Sequence, residues 1–301
     1  MTLAIRDLTP GFVGEVSGID ITAPLDPAQV AALEAGMDRY AVLVFHDQLV
    51  SDEQQIVFSR QFGALERYDT PGHVRRRADE RLGPGIADLS NLDRRGQTIA
   101  PEDRVWLFKL GDRLWHSDSS FRPVPAKYSI LSGRAIPAAG GNTEFADMRA
   151  AYDALDDAAK AEVASLVCRH SLIYSRASIG FTELTDDEIA AFRPVRQRLV
   201  RTHPVTGRKS LFLSAHAGAI EGWTRPEASM FLRDLTEHAT QRRFVYAHAW
   251  RRHDMVMWDN RTTMHRARRF PAGEIRDMRR TTLAGDAPTI EQDAAVAEAA
   301  Q

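Results

Sequence analysis

His116 and Asp118 stand two residues apart in Leu114-Trp115-His116-Ser117-Asp118-Ser119-Ser120-Phe121. On an extended strand alternate side chains share a face, so an imidazole nitrogen and a carboxylate oxygen would project together. Those are two of the three donors of a 2-His-1-carboxylate iron site, whose third donor is a distant histidine brought in by the fold. The chain holds ten histidines, and a lone His-x-Asp also arises on solvated strands, so the rest of the chain must decide. His265, in Trp258-Asp259-Asn260-Arg261-Thr262-Thr263-Met264-His265-Arg266, is the candidate third donor.

Downstream runs Arg276-Asp277-Met278-Arg279-Arg280-Thr281-Thr282. On a strand Arg276, Met278 and Arg280 share one face and Arg279 points the other way. An inward arginine on a core strand is costly unless it meets an anion, and a planar guanidinium suits a carboxylate bidentately. Two inward arginines therefore predict two carboxylates bound close to the metal.

The elements that must position these groups follow from pattern. Residues 11–26 alternate like a strand with glycine turns, and Pro27 to Tyr40 has helical period with Val30, Leu33 and Met37 on one face. Ala41 to Phe45 reads as a buried strand, and Ser51 as the N-cap of a helix reaching Phe62. Residues 66–106 are rich in glycine, carry the basic cluster Arg75, Arg76 and Arg77, and show strand character only from Ile86 to Leu92. A long irregular segment of this kind reads as a lid beside the site. Strands are expected at 127–135, 143–145 and 167–174, with helices capped by Asp147 and Asp156 between the last two. A hairpin is expected around Pro204-Val205-Thr206-Gly207-Arg208, then a helix opening at Thr224, then strands at 243–250, 255–258 and 278–283. Helices in front and many short strands behind predict a mostly β fold: a double-stranded β-helix, or jelly roll, with flanking helices. Residues 1–285 would form one domain and 286–301 a frayed tail.

The 301 residues are 44% hydrophobic, enough for a sizeable core, and the net charge of −2 offers no reason to expect nucleic acid or an anionic membrane as partner. A single cysteine, Cys168, forbids an internal disulfide and fits a reducing compartment. No run of about 18 apolar residues is present. These features predict a cytoplasmic protein, and a homo-oligomer is compatible with them.

Taken together, residues 114–121, 140–155 and 257–269 resemble the Fe(II)/2-oxoglutarate-dependent dioxygenases of the taurine dioxygenase type, and within them the aryloxyalkanoate herbicide dioxygenases such as 2,4-dichlorophenoxyacetate dioxygenase. The likeness runs from about Gly14 to about Leu283. It implies that His116, Asp118 and His265 bind Fe(II), and that 2-oxoglutarate and O2 are co-substrates. Arg276, helped by the Thr143 hydroxyl, would hold the distal carboxylate of 2-oxoglutarate, and Trp258 would wall the pocket. Arg280 would meet the substrate's anionic group or the inner carboxylate of the co-substrate, and His216 would touch a small-molecule carboxylate substrate. One departure is Asp112, where relatives often carry asparagine; nearby Lys109 would neutralise it and face the substrate.

The implied reaction hydroxylates an aryloxyalkanoate beside its ether oxygen, giving a phenol and glyoxylate or pyruvate, with succinate and carbon dioxide. Three alternatives remain at this point: an alkylsulfonate dioxygenase of the same fold, a zinc hydrolase using the same three donors, and a non-catalytic sandwich module, for which two buried arginines have no use.

Overall fold

The computed structural model describes residues 2–66 and 80–292. Helix and strand are nearly balanced, at 29% and 26% of the chain, so the fold is mixed rather than mostly β. The balance shifts because several segments expected as strand or loop close into short capped helices. Ser171 caps a helix at Leu172–Ser178, ending the strand Val167–His170 four residues before the expected Tyr174. Asp103 caps Arg104–Lys109, and Thr185 caps Asp186–Ala191 through a capping box with Glu188. A side-chain oxygen on an orphan amide at position N2 or N3 starts a helix even where hydrophobic period is too short to read.

A seven-stranded sheet forms the scaffold. Its order is Ala4–Thr9, Val13–Ser17, Val42–Phe45, Met255–Asp259, Tyr128–Ala135, Asp277–Thr282, Ala87–Asp88. Only the pair Val13–Ser17 and Val42–Phe45 is parallel. A second sheet of three strands, Val245–His248, Thr143–Asp147 and Thr263–Ala267, packs against it. Phe145 from the small sheet meets Trp258, Val256, Leu131 and Met278 from the large one in a single buried cluster. Central strands buried on both faces read as unbroken apolar runs, which is why Val42–Phe45 and Met255–Asp259 are buried at every position.

The helix Pro27–Tyr40 closes one side. Asp26 and Gln29 cap its start reciprocally, and Leu33 and Met37 sink into the core, as their spacing predicts. The helix Arg225–Ala239, capped by Thr224 and Glu227, packs Leu232 and Leu235 against another cluster that includes Trp115, Ala146 and Met264. The expected hairpin forms between Val200–Thr202 and Lys209–Leu211.

Between residues 80 and 106 the chain is tied down. Ala87–Asp88 pairs with Arg279 and Arg280 at the sheet edge. The Arg81 guanidinium bridges Asp88 and Asp277. The basic cluster Arg75, Arg76 and Arg77 lies outside the described residues. The tail expected to fray from residue 286 is docked as far as Gln292. Thr289 is 1% exposed and donates to Gln197 Oε1 at 2.6 Å, while its hydroxyl accepts from the Arg198 amide. Residues 293–301 are outside the described part of the chain.

Candidate active site

His116 and His265 come from segments far apart in sequence and meet as one backbone bridge. The amide of each donates to the carbonyl of the other, at 3.0 and 2.8 Å. The expected strand through His116 and Asp118 is thus a single bridge followed by a turn, with Ser119 at a positive φ of 53°. His265 lies on the strand Thr263–Ala267, which sequence pattern left unassigned; Phe145 is its cross-strand partner.

The ligand atoms of His116, Asp118 and His265 all lie within 4.8 Å of one another, and all three residues are buried. The Nε2 atoms of both histidines stand 3.8 Å from the Asp118 carboxylate oxygens. His116 donates from Nδ1 to the Leu114 carbonyl at 2.8 Å, which leaves the Nε2 lone pair for a metal. His265 has no such support: among the described residues its buried Nδ1 is unpaired, and its ring is held by Trp258 at 4.7 Å and Phe145 at 6.1 Å. Burial holds the His265 imidazole well below its usual pKa. Burial pushes Asp118 up, but Arg280, the two histidines and the Ser129 hydroxyl outweigh it and hold the carboxyl at about 2. A neutral imidazole and an ionised carboxylate are the protonation states a divalent metal requires, and two nitrogens with one oxygen are the facial donor set of Fe(II). The residues fit the ion.

Asn260 is the positioning residue that sequence reading missed. Its Oδ1 accepts from the Asp118 amide and from Trp258 Nε1, each at 3.1 Å, and its Nδ2 donates to Ser129 Oγ at 2.9 Å. Ser129 in turn donates to Asp118 Oδ2 at 2.7 Å. Arg280 is ion-paired to Asp118 Oδ1. Trp258 is fully buried behind His265 rather than walling the cavity, because its strand is covered on both faces.

Arg276 is 6% exposed, just ahead of the strand Asp277–Thr282. Burial lowers its pKa to about 10, and among the described residues no carboxylate lies within ion-pair distance. Among the described residues its guanidinium makes one hydrogen bond, to the Gly141 carbonyl at 3.4 Å, two residues before Thr143, and lies 6.0 Å from the centre of the Phe270 ring. The Thr143 hydroxyl accepts from Trp250 Nε1 at 2.9 Å, which leaves its own proton to donate. Arg279 faces away, as expected, onto Asp52 at 2.7 Å.

A cavity of about 1080 Å³ opens onto His116, Asp118 and Arg280 and is walled by Leu89, Phe108 and Phe121. His216 and Lys109 also line it. His216 packs against the His116 and Phe121 rings at 5.9 and 5.2 Å. Burial, and the charge of Arg176 after it, keep His216 neutral, so it is a hydrogen-bonding group and not a cation. Lys109 does not neutralise Asp112: its ammonium donates to the Ser90 carbonyl at 2.7 Å. Asp112 instead lies 3.6 Å from Arg176 and within electrostatic reach of Arg276. The helix turn that places Asp112 and Gly111 against Arg176 could not be read from spacing, since the first turn of the helix carrying Arg176 lies in a segment expected to end as strand at Tyr174.

The family described as taurine catabolism dioxygenase TauD, TfdA family matches residues 4–282. The chain is 42% identical over 285 residues to an alpha-ketoglutarate-dependent 2,4-dichlorophenoxyacetate dioxygenase of Burkholderia sp. (strain RASC), covering 95% of each. It is 39% identical over 290 residues to an (S)-phenoxypropionate/alpha-ketoglutarate-dioxygenase of Sphingobium herbicidovorans, covering 94% of this chain and 95% of the relative. The crystal structure of AAD-2 in complex with Mn(II) and N-oxalylglycine superposes with a TM-score of 0.93 at 59% identity, covering 96% of this chain and 100% of that one.

Proposed function

The chain belongs to the TauD, TfdA family of 2-oxoglutarate-dependent dioxygenases, with Fe(II) as its metal, and on that premise we propose that its substrate is an aryloxyalkanoic acid. The observation that carries this reading is the cavity itself. Aromatic and aliphatic walls lead to the metal donors, and a cation stands beside them. The names of the two relatives above agree with it. With the family established, the zinc-hydrolase and binding-module alternatives are set aside. The sheet pair around Phe145 and Trp258 supports a double-stranded β-helix core, and the span of the family match supports a single domain. A buried lone Cys168 supports a cytoplasmic setting, and no helix among the described residues is long and apolar enough to cross a membrane.

In this reading His116, Asp118 and His265 hold the iron. Arg276 and Thr143 take the distal carboxylate of 2-oxoglutarate: a buried guanidinium that has a neutral carbonyl for its hydrogen bond gains most from an anion. Arg280 orients Asp118 and faces the inner carboxylate. His216, neutral, offers a hydrogen bond to the substrate acid. Fe(II) with O2 and 2-oxoglutarate supplies the oxidising power, one oxygen atom going to the substrate and one to succinate, with loss of carbon dioxide. The protein's part is to place the carbon beside the ether oxygen next to the metal and to keep the cavity dry. Hydroxylation there gives a hemiacetal whose carbon–oxygen bond breaks to release the phenol and glyoxylate, or pyruvate from a propionate.

The test is product release by the purified Fe(II) enzyme. Phenoxyacetates should yield phenol and succinate in equal amounts, and phenyl ethers lacking the acid should yield little. More sulfite from taurine than phenol from any phenoxyacetate would overturn the substrate assignment and favour an alkylsulfonate.

A further inference from the structure

The cavity has a second cationic pole that the reaction above does not use. Arg176, on the helix Leu172–Ser178, lines the same cavity as His116 and Asp118. Its side chain is only 5% exposed. One nitrogen donates to Ser175 Oγ at 3.1 Å, but Nε is buried and, among the described residues, without a hydrogen-bond partner. Among the described residues its one nearby carboxylate, Asp112, is 3.6 Å from the NH2 nitrogen, past good hydrogen-bond distance, and 36% exposed. Arginine keeps its proton even when buried. The cavity wall therefore holds a desolvated charge whose donors are incompletely met, a condition that costs free energy until an acceptor arrives.

Its place in the cavity sets what that acceptor is. Arg280 touches Asp118 directly. Arg176 is reached from the metal donors only in steps: the His216 ring packs on His116, His216 Nδ1 meets Ser175 Oγ at 2.9 Å, and Ser175 meets Arg176. The guanidinium lies 4.2 Å over the Phe108 ring, which packs in turn on Phe181 and Phe192. The pole thus belongs to the aromatic end of the cavity. Gly111 makes room for it, since a β-carbon there would come within 2.4 Å of the guanidinium carbon.

We propose that Arg176 forms a distal subsite that selects aryloxyalkanoic acids bearing an oxygen acceptor on the ring, at the end away from the metal. This rests on the aryloxyalkanoate reading and deepens it. Asp112 offsets part of the charge, so a neutral carbonyl is accepted as well as a carboxylate. An alkyl group in the same place offers the guanidinium no acceptor. A site built around such a donor discriminates strongly against the analogue that lacks the acceptor.

The experiment compares kcat/KM for phenoxyacetates carrying acetyl, isopropyl or carboxyl groups at the ortho, meta and para positions. Acetyl and isopropyl share a shape and differ in an oxygen against a methyl. At the best position the wild-type enzyme should favour acetyl over isopropyl by about tenfold or more, with carboxyl at least matching acetyl. Arg176→Met should bring the acetyl-to-isopropyl ratio close to one. Gly111→Ala, which pushes the guanidinium aside without removing it, should lower the ratio in the same direction. Should Arg176→Met fail to fold, as a thermal melt would show, Gly111→Ala decides alone. Phenol release from unsubstituted phenoxyacetate with no acetyl preference at any position overturns the subsite and leaves the substrate class standing. A preference that survives both substitutions overturns it too. Failure to turn over any aryloxyalkanoate removes the substrate class and the subsite together.

Discussion

His116 and His265 are 149 positions apart in sequence (265 − 116) and exchange both backbone hydrogen bonds, which brings their rings to 4.2 Å between centroids. The metal site is therefore built on main chain first and side chains second. Moving either histidine requires breaking a bridge that also anchors the small sheet to the turn carrying Asp118.

Asp118→Ala should abolish turnover, since it removes one of three metal donors. It also removes one of the carboxylates beside Arg280. Truncating one member of a buried charge pair costs about 2–5 kcal/mol; Arg280 keeps a side-chain exposure of 16%, so the low end of that range is expected. Metal content and a urea titration together check this. Retained metal at wild-type stoichiometry would show that the carboxylate is not a donor.

Arg276→Ala should weaken 2-oxoglutarate binding by about two to three decades, the worth of a desolvated charge pair. The half-saturation for 2-oxoglutarate reads it directly. An unchanged value would move the co-substrate's distal carboxylate elsewhere, most simply to Arg280.

Trp258→Leu should loosen metal binding without touching a donor atom. Among the described residues the His265 ring has no hydrogen bond on Nδ1, and it relies on Trp258 and Phe145 for its orientation. Loss of an orienting partner typically costs about 10–100-fold in metal affinity. Competition with a chelator measures it, and wild-type affinity would show that Phe145 alone suffices.

His170 predicts an acid weakness away from the site. Its ring is buried, stacked at 5.5 Å on Phe212, with both nitrogens unpaired among the described residues. Burial pushes its pKa down to about 3, whereas an unfolded histidine titrates near about 6.5. Between those values the unfolded chain binds a proton that the native state refuses. Stability should therefore fall as pH drops from about 6.5 towards about 3, by on the order of 1.4 kcal/mol per unit from this group. His170→Leu should lose less stability than wild type between pH 7 and pH 5 in urea melts. Equal losses would mean the ring is protonated or hydrated in the native state.

What the sequence by itself determined was the chemistry: donor types, the paired arginines and the long matched stretches name the iron and the co-substrate, and single out the residues proposed to hold them. Local signals also sufficed for elements with strong period or reciprocal caps, such as Pro27–Tyr40 and Arg225–Ala239. Only the tertiary structure decided how the donors are held. The His-x-Asp segment is one bridge because the chain turns at once, with Ser119 at positive φ, and its partner strand, Thr263–Ala267, is too polar to be read from pattern. Asn260 acts on Asp118 from 142 positions away, and Ser129 and Trp258 reach Asp118 and His265 from neighbouring strands, through packing that no spacing rule encodes. Asp112 looked like an unfavourable charge until the helix at Leu172–Ser178, capped by a single serine, brought Arg176 against it. Residue types set which bonds can form; long-range packing sets which of them do.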